Sequence, residues 1–236
     1  MDARVTKSQP RRRLSGPRDP ERTRAVILNA AIAEFTSKGL SGARIDRIAR
    51  RAAVNKRMIY YYFGNKEGLY IAVLEQTYTA IRTAEIGLNL AGRDPTDGMR
   101  ELVEFTWRYF IEHPEFLSLL ATENFNRARY LKNSRRIREL HSPLIGIITK
   151  LLDRGAREGV FRSDIDPVQL YITIASLGFF YLSNRHTLST IFGRDLNTRE
   201  ALNERGRHIV DVVFDYLAPQ RKPAAKSRLA ALSNPS

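Results

Sequence analysis

The sequence predicts an all-α protein of about nine helices, and three observations carry that expectation. Apolar residues recur at i, i+3, i+4 and i+7 through most of the chain. Asp-Pro steps stand at 19–20, 94–95 and 166–167, each ahead of a periodic stretch. There Asp can cap free amides while Pro fills the first helical position, where its missing N–H costs nothing. Neither a sustained period-two alternation nor an Asn-Gly hairpin signal occurs, so no strand is assigned.

The first helix, about 20–38, places Leu28, Ala31, Ile32 and Phe35 on one face and stops at Gly39. A second, about 44–52, repeats the pattern with Ile45, Ile48, Ala49 and Ala52. Asn55 can cap a short third helix through Phe63, and Asn65 a long fourth from Lys66 to about Leu90. Helices over 95–112, 114–126 and 134–158 follow, the last striped by Leu144, Ile147, Ile148, Leu151 and Leu152. The stretch 167–185 is apolar almost all round, so either its own core or a second subunit must cover it on every side. The ninth helix, 198–217, aligns Ile209, Val213, Tyr216 and Leu217, and Val210 and Phe214 add a second apolar side.

Charge is spread unevenly over the 236 residues. The net charge is +14 and the pI about 10.3. Residues 1–75 hold 16 Lys and Arg against 7 Asp and Glu, whereas 76–217 hold 19 against 18. A basic first third beside a nearly neutral middle fits two regions with different partners, the first polyanionic. Residues 1–18 read as a disordered basic arm and 218–236 as a disordered basic tail. No cysteine is present, which excludes disulfides, thiolate metal sites and cysteine nucleophiles. The most apolar run, 170–182, is shorter than the ~20 residues of a membrane span. The arginines at 11–13 lack a following apolar segment, so a cytoplasmic protein is expected. His113, His141, His186 and His208 show no metal spacing, and neither metal nor cofactor is expected. Asp164 and Asp166 read as helix caps, and the Gly155–Gly159 stretch lacks the Lys-Ser/Thr of a phosphate loop. An enzyme is therefore not expected.

Residues 44–63, RIDRIARRAAVNKRMIYYYF, carry the most specific pattern. Two short helices flank a turn at Ala53-Val54-Asn55. Ile48, Ala49, Ala52, Val54, Ile59 and Tyr62 form an inner side, with Arg44, Arg47, Arg50, Arg51, Lys56 and Arg57 outside. Small residues where helices cross, and a plug at the turn, are what a helix-turn-helix requires. A plain helical hairpin with a solvated basic face is the other reading. Helical spacing puts Arg57, Tyr60 and Tyr61 on one face, opposite Ile59 and Tyr62, with Lys56 beside them.

The surrounding run resembles the DNA-binding domain of the tetracycline-repressor (TetR) family. Phe35 and Gly39, Ile48-Ala49, Ala53-Val54, Tyr60-Tyr61-Tyr62-Phe63 and Lys66-Glu67-Gly68-Leu69 carry the likeness over about 50 residues. Ala53 stands where relatives usually have Gly, Asn55 where they commonly have Ser, and Arg57-Met58 where they often have Gly-Thr. The resemblance implies that Arg44, Arg47, Asn55, Lys56, Arg57, Tyr60, Tyr61 and Lys66 serve DNA binding, Arg57 reading a guanine edge or clamping a phosphate.

It also implies the domain order: the arm, a helix-turn-helix domain over 19–65, and a ligand-binding and dimerisation domain over 66–217. Trp107, Asn124, Arg129, Tyr130, Phe179 and Asn184 are the candidates for an effector pocket. Ile174, Leu177, Tyr181, Ile209, Val213 and Tyr216 are the candidates for a dimer interface. The implied function is a homodimeric, sequence-specific transcriptional regulator, a repressor that a small-molecule effector releases from its operator. A nonspecific architectural DNA-binding protein is the alternative, with an enzyme acting in the helical domain behind it.

Overall fold

The computed structural model describes residues 19–219, with all side chains except those at 138 and 140–142. Its described residues form nine α-helices joined by loops and two single-turn 3-10 segments, Leu90–Gly92 and Leu131–Asn133. The basic arm and nearly all of the basic tail expected from the sequence lie outside them. Contacts divide the chain into two compact units, one ending at Leu74 and one starting at Glu75. Among the described residues no helix is long and apolar enough to cross a membrane.

Helix termini follow the cap signals closely. In the first unit, Asp19 accepts from the Glu21 and Arg22 amides and opens α1, Pro20–Gly42. α1 runs four residues past the expected stop, but it breaks at Gly39, whose φ of 62° and ψ of 178° are not helical. α2, Ile45–Arg51, and α3, Lys56–Phe63, follow, then α4, Lys66–Gly87. Ile27, Leu28, Ala31 and Phe35 of α1 close on Ile48, Ile59, Leu69, Tyr70 and Val73. The Phe35 and Tyr70 rings meet edge to face with centroids 5.1 Å apart.

The second unit is built around α5, Pro95–Glu112, which packs against every other helix of the unit that follows it. Met99, Leu102, Val103, Phe105, Thr106, Trp107, Tyr109 and Phe110 form its broad buried side. α6, Pro114–Phe125, α7, Arg135–Arg157, α8, Pro167–Phe192, and α9, Arg199–Leu217, surround it. Asp94, Ser134, Asp166 and Thr198 cap α5, α7, α8 and α9 with their side chains. Close approach is set by glycine. A Cβ on Gly178 of α8 would meet the Phe110 ring at 3.2 Å, and one on Gly206 of α9 would meet the Trp107 indole at 2.8 Å.

α8 departs from expectation in its length. It continues to Phe192, seven residues beyond 185, because no breaker intervenes before Gly193 takes the left-handed cap at φ 61°. It is also not wrapped all round: Val168, Ile172 and Phe180 stay exposed while Leu170, Ile174, Tyr181 and Leu182 are buried. α5 is the more deeply buried helix, exposing only the stripe Asp97, Arg100, Glu104, Arg108 and Glu112.

Gly155 of α7 offers a direct test of these close contacts. A methyl group there would overlap the buried Phe161 ring. Gly155→Ala should therefore cost about 1–3 kcal/mol despite its gain in helix propensity, read as a lower urea midpoint. An unchanged midpoint would show that Phe161 moves freely.

Candidate nucleic-acid interface

The turn between α2 and α3 sets how the basic side chains are displayed. α2 ends at Ala52, and Ala53 then takes φ 52°, in the left-handed region. The Val54 amide donates to the Ala49 carbonyl at 3.0 Å and the Ala53 amide to that of Arg50 at 3.2 Å. This is a Schellman closure, with alanine in the seat that glycine prefers. Gly159, at φ 74°, closes α7 with the same pair of bonds to Gly155 and Ala156. The alanine Cβ makes the turn after α2 a strained position.

Two carboxylates and an amide fix the short helices from below. Glu34 of α1 is buried, and its Oε1 accepts the Arg44 amide at 3.1 Å, ahead of α2. Asn55 Oδ1 accepts from the Arg57 amide at 2.9 Å and caps α3. Asp46 of α2 pairs with the Lys56 ammonium. Hydrogen bonding from Lys56, aided by its charge and those of Arg44 and Arg50, holds the Asp46 carboxyl below the usual carboxylate range.

Those contacts leave an outward surface. Arg44, Arg47, Lys56 and Arg57 are exposed. Tyr60 is 47% and Tyr61 80% exposed, whereas Ile59 at 0% and Phe63 at 8% seal the opposite side of α3. Tyr62 is half-buried, edge-on to Tyr61 at 5.2 Å. Lys66 is half-buried at the start of α4, its ammonium donating to the Ser41 carbonyl at 3.3 Å. All eight residues expected to serve DNA lie in the first unit. A large aromatic exposed this far beside guanidinium groups suits base edges and phosphates.

The effector residues expected from the resemblance lie in the second unit with different exposures. Asn124 and Arg129 are exposed: the Asn124 amide turns back to the Leu120 carbonyl, and Arg129 lies over the Tyr130 ring at 5.7 Å. Asn184 likewise donates to the Phe180 carbonyl, while Phe179 and Tyr130 are half-buried. Trp107 is buried edge-on to Tyr181 at 5.7 Å, at the floor of a groove of about 450 Å³ between α5 and α9.

Four of the six dimer candidates are covered by the chain itself. Ile174, Tyr181, Ile209 and Val213 are buried within the chain itself, the Tyr181 hydroxyl donating to the Leu196 carbonyl at 3.0 Å. Leu177 is half-buried, and Tyr216 is 40% exposed beneath the Arg162 guanidinium. The apolar surface that α8 leaves open belongs instead to Val168, Ile172 and Phe180.

One group escaped the sequence reading altogether. Arg82 and Glu85 of α4 are 2% and 1% exposed, with Nη1 2.7 Å from Oε2. Arg82 Nη2 donates to the Tyr171 hydroxyl of α8 at 2.7 Å. The signal was present, since Tyr78, Ile81, Arg82 and Glu85 follow i, i+3, i+4, i+7 and so place both charges on an apolar stripe. Burial, opposed by Arg82, pushes the Glu85 carboxyl up to about 7.

Known proteins match both units. A family model described as "Bacterial regulatory proteins, tetR family" matches residues 27–73, and one described as "Tetracyclin repressor-like, C-terminal domain" matches 95–213. The chain is 44% identical over 181 residues to the HTH-type transcriptional repressor NicS of Pseudomonas putida, covering 77% of this chain and 85% of that one. It is 31% identical over 199 residues to the HTH-type transcriptional repressor SCO4008 of Streptomyces coelicolor, covering 82% and 98%. Among solved structures, the transcriptional regulator SCO4942 of Streptomyces coelicolor superposes with a TM-score of 0.63 at 26% identity, covering 83% of this chain and 98% of that one.

Two substitutions separate the turn from the cap. Ala53→Gly should raise stability by about 0.5–1 kcal/mol by relieving the left-handed alanine, opposite to the usual sign for glycine. Asn55→Ala should lower it by about 0.5–2 kcal/mol through loss of the cap. Denaturant midpoints check both, and a destabilised Ala53→Gly variant would contradict the strain.

Proposed function

The chain belongs to the tetracycline-repressor family of transcriptional regulators, and from that premise we propose that it represses by binding an operator duplex as a homodimer and lets go when a small effector binds. It is a regulator rather than an enzyme. The observation that carries the DNA reading is the divided face of α3: Ile59 and Phe63 are sealed, so Arg57, Tyr60 and Tyr61 are free to enter a major groove. Arg44, Arg47, Lys56 and Lys66 supply phosphate contacts, Lys56 by exchanging Asp46 for a phosphate oxygen. Asn55 acts through the cap that positions Arg57.

Two further features support the remaining parts of this reading. Val168, Ile172 and Phe180 give α8 an apolar surface suited to a second copy across a twofold axis. α4 begins beside α3 in sequence and carries Arg82 and Glu85 near its other end. A ligand at that pair would bias the same helix that follows the recognition helix, with coupling of about 1–3 kcal/mol.

Duplexes selected from a random pool, with anisotropy as readout, test the assignment. Affinity should fall by about 10³–10⁵-fold between about 50 and 200 mM salt, and a flat response would sink it. Tyr61→Ala should reduce discrimination between selected and random duplex, whereas Lys66→Ala should weaken both alike. Ile172→Lys should yield a folded monomer by light scattering with weakened operator binding. A charge at Ile174 or Val213 should instead unfold the chain, because each is buried in it.

A further inference from the structure

The Arg82 guanidinium is enclosed, yet its hydrogen bonding is incomplete. Nη2 is used by Tyr171, but among the described residues Nε has no hydrogen-bond partner, and the Nη1 contact with Glu85 Oε2 is an ion pair without hydrogen-bond alignment. Buried N–H groups left in this state are rare in folded proteins and point to a missing acceptor. Tyr171 adds to the same demand, because its hydroxyl accepts from Arg82 and so keeps its own hydrogen to donate.

We infer that Arg82 anchors the carboxylate of a small monoanionic effector, which takes the guanidinium over from Glu85. The inference rests on the effector-responsive reading above. A guanidinium edge presents paired N–H groups that match the two oxygens of a carboxylate. Charge balance fixes the valence of the guest. Arg82 and Glu85 are neutral together, so an anion can enter this buried position only if Glu85 gives up its charge by taking a proton. A dianion would leave the site negative even then.

The surroundings make that proton uptake feasible. Glu85, already at about 7 from burial, is partly protonated near neutrality. The other titratable groups acting on the pair are phenols: Tyr78 of α4 and Tyr109 of α5, both pushed up to about 12 by burial, and Tyr171 of α8, also raised by burial. They stay neutral, and Glu123 of α6 acts on Tyr78 rather than on the pair. Among the described residues no second cation perturbs Glu85.

The full chain titrated calorimetrically with benzoate, acetate and the uncharged isostere benzamide tests this. Benzoate or acetate should bind, benzamide should not, and binding should take up about one proton well above pH 7 and none well below it. Affinity should be level below about pH 7 and weaken about tenfold per pH unit above it, because Glu85 must then be protonated from its charged form. Glu85→Gln should bind carboxylate with no such slope. Because Arg82→Met alone leaves a buried carboxylate unpaired and can unfold the unit, the double variant Arg82→Met with Glu85→Gln supplies the control, and it should not bind. Carboxylate binding to the folded double variant, equal binding of benzamide, failure of both anions to bind wild type, or a pH slope surviving in Glu85→Gln would each overturn the site. A carboxylate that binds as described but leaves operator affinity unchanged upholds the site and overturns the effector reading instead.

Discussion

The reversal between α2 and α3 is the constraint on which the DNA-facing unit depends. One residue in the left-handed region, Ala53, closes α2 and redirects the chain within three positions. Everything α3 displays follows from that angle: Ile59 goes inward, and Tyr60, Tyr61 and Arg57 go outward. The same turn brings Lys56 to Asp46 and lets Asn55 cap the next helix. Alanine there is sterically costly, and the surrounding contacts hold it in place. Glu34 supports the arrangement from α1 by satisfying an amide ahead of α2, a job that a buried carboxylate does better than a neutral acceptor.

In the second unit the organising fact is that α5 carries most of the core and keeps one narrow solvent stripe, Asp97, Arg100, Glu104, Arg108 and Glu112. Helices can crowd around it because Gly178 and Gly206 remove side chains where α8 and α9 come nearest. The result is an interior rich in aromatic edges: Tyr78, Tyr109 and Phe110 all lie within ring-contact distance of Phe116. Placing a guanidinium and a carboxylate near such an interior is expensive unless both are used. Arg82, Glu85 and Glu123 are buried charged side chains in this mostly apolar interior.

Local signals made much of this legible. Asp19, Asp94 and Asp166 each cap the helix that the following Pro begins, because a cap needs only residues two or three positions away. The exposure of Tyr61 and burial of Ile59 follow from helical spacing alone. What spacing cannot say is what covers an apolar side. Ile174 and Val213 read equally well as a partner's contact or as the chain's own core, and they are the core. Nor does it reveal that α5 is buried more completely than α8, since that depends on which helices arrive later. Arg82 was the hardest to find, because its hydroxyl partner Tyr171 lies 89 positions away and a lone charge on a stripe usually reaches water.

The chain has a single tryptophan, and the fold has put it at a joint of three helices. Trp107 projects from α5 towards Gly206 of α9 and Gly178 of α8, where an added Cβ would come within 2.8 and 3.5 Å of its ring, and Tyr181 meets it edge-on. Its emission is therefore an optical gauge built into the protein, with no competing indole to dilute it. A shift of α8 or α9 by a fraction of an ångström changes what touches that ring. Intrinsic fluorescence should accordingly follow rearrangement of these helices without a label, in the unmodified chain and in real time.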